Sequence, residues 1–360
     1  MEIVELNPLF WRGKRVLLTG HTGFKGGWLA LWLQRLGAQV SGFALAPSTL
    51  PSLFELARVA EGIDSHLGDL RDFPALQAIV AEARPEIVLH LAAQPLVREA
   101  YRDPVGTYAS NVMGTLHLLE AIRQCPGVRA CVLVTTDKVY ANQEWPWAYR
   151  ETEALGGHDP YSSSKACCEL LAQSFAASYF PVTRYAEHGF ALATARAGNV
   201  LGGGDFAVDR LVPDVLAAWS RGAPVSLRYP QAVRPWQHVL EPLAGYLQLA
   251  QGLFEQGPAV AGAWNFGPSE ADMCSVGEVV KSLARGWPTP PAVHVQPSEL
   301  HEAGLLRLDS SRARRLLGWR PRWSLEQCLG TTLDWHRAWQ QGADMRTVTL
   351  TQLTAYEGAV

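Results

Sequence analysis

Over the first two hundred residues, short apolar runs alternate with stretches of helical periodicity. "KRVLLTG" (14–20) predicts a strand, and "FKGGWLALWLQRLG" (24–37) repeats its apolar positions at helical spacing. Strands are predicted again at 39–45, 64–69, 86–93, 129–136 and 190–200, and helices at 73–83, 104–124 and 160–180. Runs such as "EIVLHLAA" and "RACVLVTT" show little polar alternation. Strands covered on both faces and separated by helices predict a parallel sheet of right-handed βαβ units.

The expected fold class is therefore α/β, a doubly wound parallel sheet of Rossmann type, whose ligands lie beyond the carboxyl ends of the strands. Beyond about residue 200 the alternation stops. A glycine-rich loop, "LGGGDF" (201–206), precedes a helix near 211–221, a strand near 225–229 and a helix near 238–254. Helical patterns recur at 275–286 and 310–319. These pieces predict a smaller α/β cap. Residues 1–200 are assigned to the Rossmann-type domain, with a segment near 236–262 returning to it. Residues 201–235 and 263–360 are assigned to the cap.

Composition narrows the class. With 360 residues, 48% hydrophobic and 18% charged, the chain can form one large domain or two ordinary ones with packed cores. A formal net charge of -3 gives no electrostatic reason to expect nucleic acid or an anionic membrane as partner. No apolar run reaches the ~20 residues of a membrane span, and the opening "MEIVELNPLFWRGKR" lacks the order of a secretory signal. A cytoplasmic protein is expected. The six cysteines contain no CxxC pair, so no metal is expected. Adjacent Cys167 and Cys168 read as small packing residues.

Chemistry enters with "TGHTGFKGG", where Gly20, Gly23 and Gly26 follow a strand and open a helix. Glycines let the backbone approach a pyrophosphate, and the helix start supplies N–H donors. Lys25 reads either as added charge near the phosphates or as a solvated side chain. "GFALAPSTLPSLFE" offers no acid for the ribose before Glu55 and no arginine for a 2′-phosphate, so NAD is preferred over NADP. Asp69 reads as a partner for the adenine end or as a helix N-cap. In "YSSSK", Tyr161 and Lys165 share one helix face, and a lysine there is expected to lower the phenol's pKa toward neutrality. "VLVTTDKVYAN" ends an apolar strand in Thr136, Asp137 and Lys138. The cap adds Asn199, Asp209 and Arg210, then Arg228, Arg234, Trp236 and His238. Arginine forks suit an anionic, nucleotide-like substrate. Arg234 is the favoured one because it falls in a proline- and tryptophan-rich loop rather than on a helix face.

Taken together, "TGHTGFKGGW", "HLAAQPLVREAYRDPVGTYASNVMGT", "VTTDKVY", "YSSSKACCE", "RAGNVLGGGDFAVDRLVPD" and "RPWQHVLEPLAGYL" span nearly the whole chain. They resemble the extended short-chain dehydrogenase/reductases that act on nucleotide sugars. Within that family the resemblance is to the 4,6-dehydratase branch, and it extends to "PSLFELARVAEG" and "HEAGLLRLDSSRARRLLGW". It implies a cofactor set of Gly20, Thr22, Gly23, Phe24, Lys25, Gly26, Asp69, Leu70, Ala92, Ala93, Gln94, Asn111 and Thr135, joined by Tyr161 and Lys165. It implies substrate contacts from Arg98, Asn199, Arg210 and Arg234, and a homo-oligomer, dimer or tetramer, built on the helices at 104–124 and 160–180.

The resemblance also implies roles. Tyr161 acts as base during oxidation at sugar carbon 4, Thr136 orients the carbon 4 oxygen, and Asp137 is the acid for the departing carbon 6 hydroxyl. Lys138 stands where related dehydratases carry a glutamate base for carbon 5. A lysine can take that proton only in its neutral form. A 4-epimerase of the same fold needs no such acid/base pair, and a non-catalytic NAD-binding scaffold needs neither Tyr161 nor Lys165.

Overall fold

The computed structural model describes residue 3, residues 5–296 and residues 303–359, so the first two residues of "HEAGLLRLDSSRARRLLGW" lie outside the described residues. Twelve strands occur among the described residues. They are β1 (Arg15–Thr19), β2 (Gln39–Ala44), β3 (Asp64–Leu67), β4 (Ile87–His90), β5 (Ala130–Val134), β6 (Ala191–Ala197), β7 (Asn199–Leu201), β8 (Val225–Leu227), β9 (Val233–His238), β10 (Gly262–Phe266), β11 (Met273–Ser275) and β12 (Val293–Val295).

Seven form the main sheet in the order β10-β6-β5-β4-β1-β2-β3, and every pairing in it is parallel. The switch in strand order lies between β1 and β4, so the ends of these two strands and of β5 open onto one crevice. Strands β4, β5 and β6 are buried at every position, as runs without polar alternation require when helices cover both faces. A second small sheet centres on β9, with β7 parallel to it on one side and β11 antiparallel on the other, and β8 pairs with β12.

Helix Leu240–Gln256 buries nearly its whole circumference beside the main sheet. Its Glu241 accepts from the backbone N–H groups of Arg322 and Trp323 and from the Tyr356 hydroxyl. Because β10 joins β6, the segment that returns to the main sheet runs to Phe266 and does not stop near 262. The last helix, Met345–Glu357, packs both on helix Leu325–Gln340 of the cap and on helix Phe24–Arg35. There Glu357 accepts from Trp32 Nε1 at 2.9 Å and from Arg35 Nε at 2.8 Å, which satisfies an indole N–H that the apolar helix would otherwise bury alone.

Three local expectations are corrected. The helix expected at 104–124 is broken by a π turn at Ala109–Met113. The strand expected at 190–200 divides into β6 and β7 at Gly198, whose hydrogen side lies against Pro235. "VRPWQH" is a strand, not a loop.

Candidate active site

Backbone proximity shapes the first wall of the crevice. Gly20 has φ +82, and a Cβ there would lie 2.7 Å from the Ala92 nitrogen. A Cβ on Gly26 would lie 2.0 Å from the Gly20 carbonyl oxygen. Any side chain at either position would therefore push the β1 loop off β4 or the helix off the loop. Helix Phe24–Arg35 begins with Gly23 at its N-cap and no side-chain cap, which leaves its first-turn N–H groups facing the crevice. This cradle fits the pyrophosphate of a dinucleotide. Thr22 donates to the Leu45 carbonyl at 2.8 Å and closes the loop over β2.

Beyond β2 the crevice is lined by Ser48, Thr49 and Ser52, with no carboxylate among these three where a ribose partner would be expected. Asp69 also lines it, but its two oxygens accept from the Arg71 backbone and guanidinium. That pairing holds its pKa below the usual range. The N-cap of helix Phe73–Ala83 is Asp72, not Asp69. Leu70, Ala92, Ala93 and Gln94 line the crevice. Asn111 does not. It is buried behind the wall, exchanging hydrogen bonds with the Gln94 backbone (2.8 and 3.1 Å) and donating to Ser164 Oγ at 2.9 Å. The π turn delivers its side chain there, so Asn111 fixes the β4 loop to the helix that carries Tyr161.

The second wall is the end of β5. Thr135 donates to Glu169 at 2.5 Å, and Thr136 donates to Asp137 Oδ1 at 2.9 Å. A 3-10 turn, Asp137–Val139, follows at once. Asp137 is buried, and its Oδ2 has no hydrogen-bond partner. Burial pushes its pKa up, opposed first by the charge of Lys138 and then by the Thr136 hydroxyl, Arg234 and Lys25.

Helix Pro160–Tyr179 starts on an Asp159 cap and presents Tyr161 and Lys165 on one face. Lys165 Nζ donates to the Val134 carbonyl at 3.0 Å, and burial lowers its pKa. The expected lowering of Tyr161 toward neutrality is not met. Burial pushes that phenol up, and the largest opposing effect is its hydrogen bond with Thr136. Desolvation outweighs neighbouring charge here.

Lys25 keeps some surface in the crevice but is surrounded by protein. Burial first, then the charge of Arg210, lowers its pKa to about 7, with Asp137, Lys165 and Asp205 also in electrostatic reach. It is therefore not a freely solvated side chain.

On the cap side, Arg210 donates to Asp205 at 2.8 Å, Arg98 meets Asp209 at 3.4 Å and Arg228 meets Asp209 at 3.5 Å. Arg234 is buried in β9, with Nη1 donating to the Val233 carbonyl at 2.9 Å, and Asn199 opens β7 beside it. All four expected substrate contacts line the same crevice, of about 920 Å³. That is near the upper end of common ligand pockets, as a dinucleotide with a second nucleotide would require. His238 is instead a core residue. It packs edge-on against Trp323 and Trp28, and burial lowers its pKa to about 3.

Sequence reasoning missed Glu169 and Arg196. Glu169 follows Lys165 by four residues, the same spacing that singled out Tyr161 and Lys165. Arg196 is a lone charge in an apolar strand.

The chain is 49% identical over 351 residues to the CDP-glucose 4,6-dehydratase of Salmonella typhimurium, covering 97% of this chain and 98% of that protein. It is 30% identical over 276 residues to the dTDP-glucose 4,6-dehydratase of Streptomyces antibioticus, covering 75% of each. The structure of a Thermus thermophilus UDP-glucose 4-epimerase in complex with NAD superposes with a TM-score of 0.78 at 27% identity, covering 90% of this chain and 99% of that one. The family model of GDP-mannose 4,6 dehydratase matches residues 17–332, and the chain belongs to that family.

Proposed function

We propose that the protein is an NAD-dependent hydro-lyase that converts CDP-D-glucose to CDP-4-dehydro-6-deoxy-D-glucose. The observation that carries this reading is the Asp137-Lys138 turn standing in the same crevice as Tyr161 and Lys165. Near full-length identity of 49% to a CDP-glucose 4,6-dehydratase supports the choice of base.

NAD, which the Gly20–Gly26 cradle would hold, would supply the hydride acceptor for carbon 4 and the hydride for carbon 6, so no net oxidation would occur. Tyr161 takes the proton of the carbon 4 hydroxyl. That role needs the phenolate, which burial disfavours and which the Thr136 hydroxyl and the charge of Arg210 favour. Lys165 braces the phenol's helix against β5 through the Val134 carbonyl. The ketone at carbon 4 acidifies the carbon 5 proton, which Lys138 in its neutral form takes up and gives back to carbon 5 as carbon 6 receives hydride. Asp137, whose pKa burial raises, gives a proton to the departing carbon 6 hydroxyl through the oxygen that has no protein partner. Arg98, Arg210 and Arg234, with Asn199, hold the nucleotide diphosphate.

Incubation with CDP-glucose and, separately, with UDP-galactose tests this. A 4-keto-6-deoxy product from CDP-glucose, which absorbs near-ultraviolet light in alkali, is expected. Epimerised sugar alone, or no reaction, would sink the reading. Lys138→Met should abolish incorporation of solvent deuterium at carbon 5. Undiminished incorporation at a normal dehydration rate would remove Lys138 from the mechanism.

We further infer a homo-oligomer, dimer or tetramer. Val105 (78%), Met113 (44%), Leu170 (55%) and Tyr179 (52%) are exposed along residues 104–123 and 160–179, a face suited to a second copy. Elution at the 39.4 kDa monomer position at micromolar concentration would refute it. The cytoplasm is the inferred location. Among the described residues no helix is long and apolar enough to cross a membrane.

A further inference from the structure

One buried ion pair clasps the turn that carries Asp137 and Lys138 from both sides. Glu169 and Arg196 have side-chain exposures of 0% and 1%. The Glu169 carboxylate accepts from Thr135 Oγ1 (2.5 Å), Thr194 Oγ1 (2.6 Å), Arg196 Nε (3.0 Å) and Arg196 Nη2 (2.8 Å). Arg196 Nη1 donates to the Tyr140 hydroxyl at 2.9 Å and to the Glu151 carbonyl at 3.1 Å. Tyr140 in turn donates to Asn265 Oδ1 in β10 at 2.7 Å. Thr135 immediately precedes Thr136-Asp137-Lys138, and Tyr140 follows them after Val139. Both ends of the turn are thus fastened to the same two side chains.

The pair also fixes the turn to the redox helix. Tyr161, Lys165 and Glu169 recur every fourth residue, so they share one helix face. Apolar groups of similar volume would fill the same space at comparable or greater stability. What apolar packing does not provide is direction. A forked guanidinium opposite a carboxylate that accepts four hydrogen bonds admits little sliding of helix against strand. Neither residue lines the crevice, so neither is a catalytic residue.

We propose that Glu169 and Arg196 are positioning residues that keep the elimination pair, Asp137 and Lys138, in register with the redox pair, Tyr161 and Lys165. The inference rests on the 4,6-dehydration proposed above, and it predicts a split between the two half-reactions. Oxidation at carbon 4 depends on Tyr161 and Lys165. Loss of water depends on the turn, whose far end is released when the Tyr140 tie is cut.

The test compares Tyr140→Phe with Thr194→Val. The first cuts the tie between turn and Arg196. The second removes an equally buried hydrogen bond to the same carboxylate without touching the turn. Reduced nicotinamide in a single turnover reports carbon 4 oxidation, product formation reports water loss, and thermal unfolding reports stability. In Tyr140→Phe, water loss should slow about tenfold relative to oxidation, the scale expected of a small misplacement, so that reduced nicotinamide accumulates. In Thr194→Val the ratio should stay within about twofold despite a similar fall in melting temperature. Arg196→Lys keeps the charge but loses the fork that spans Glu169 and Tyr140, and should reproduce the split. Equal slowing of both steps in Tyr140→Phe, no slowing, or the same ratio in Tyr140→Phe and Thr194→Val would overturn the proposal. Wild-type protein that forms no product from CDP-glucose would instead defeat the dehydratase reading.

Discussion

The two sides of the crevice are held by the same kinds of residue in different surroundings. On the β5 side, Glu169 and Arg196 are fully buried and their contacts run from 2.5 to 3.1 Å. On the cap side, Asp209 gathers Arg98, Arg228 and Arg102 at 3.4, 3.5 and 3.9 Å, with side-chain exposures between 22% and 65%. Buried pairs of good geometry hold atoms still, whereas exposed pairs exchange partners with water and ions. The comparison teaches where the molecule needs fixed atoms. Proton transfers tolerate little displacement, and a charged diphosphate can reorganise the arginines that receive it.

The sharpest test of the fixed side is Asp137→Asn, which keeps shape and removes the proton. Loss of general acid catalysis should slow water elimination by about 10²–10⁴, while oxidation at carbon 4 continues and reduced nicotinamide appears without product. Burial raises Asp137, so wild-type water loss should persist above the ordinary carboxylate range and fall as pH rises through the shifted pKa. That limb should be missing from the residual activity of Asp137→Asn. Retention of more than about a tenth of wild-type elimination would mean that position 137 is not the acid and that its burial serves packing.

Next in size is the clasp itself. Arg196→Met strands the Glu169 carboxylate in the core and should cost ~3–5 kcal/mol of stability, read from denaturant unfolding. The double variant Glu169→Leu/Arg196→Met should recover that loss, within a range from neutral to ~4 kcal/mol more stable than wild type. A single variant that costs less than about 1 kcal/mol would place this pair with the exposed ones and dissolve the contrast between the two sides.

These two regions were also unequally legible from sequence. Strands β1, β4, β5 and β6 announce themselves because burial on both faces demands unbroken apolar runs. The Gly20–Gly26 turn and the Tyr161/Lys165 spacing were readable for the same local reason. Strand β9 is hidden because Pro235 argues against a strand, yet β9 lies between β7 and β11, with Pro235 itself opposite Met273. The π turn at Ala109–Met113 leaves no mark on apolar periodicity, so Asn111 was expected in the crevice instead of behind it. The direction of the Tyr161 shift is not legible from spacing for a further reason. Spacing shows which charge is near, but desolvation depends on everything packed around the ring. Glu169 could have been noticed by extending the four-residue spacing one more turn. Arg196 could not, since its partner lies 27 positions away in sequence.

The smallest expected effect belongs to Asp209→Asn. Asp209 has φ 61, a left-handed conformation that asparagine tolerates as well as any side chain, so the backbone should be unchanged. The substitution takes an anionic partner from Arg98 and Arg228 and leaves the crevice one charge more positive. Pairs this exposed are worth ~0–1 kcal/mol, and salt screens them. The variant should therefore keep wild-type kcat and melting temperature. Its KM for CDP-glucose should fall by no more than about fivefold at low ionic strength, a gain that vanishes at high salt. A tenfold drop in kcat would show that Asp209 fixes atoms as strictly as the buried clasp does. The cap side would then be part of the rigid frame and not a surface that adjusts to the diphosphate.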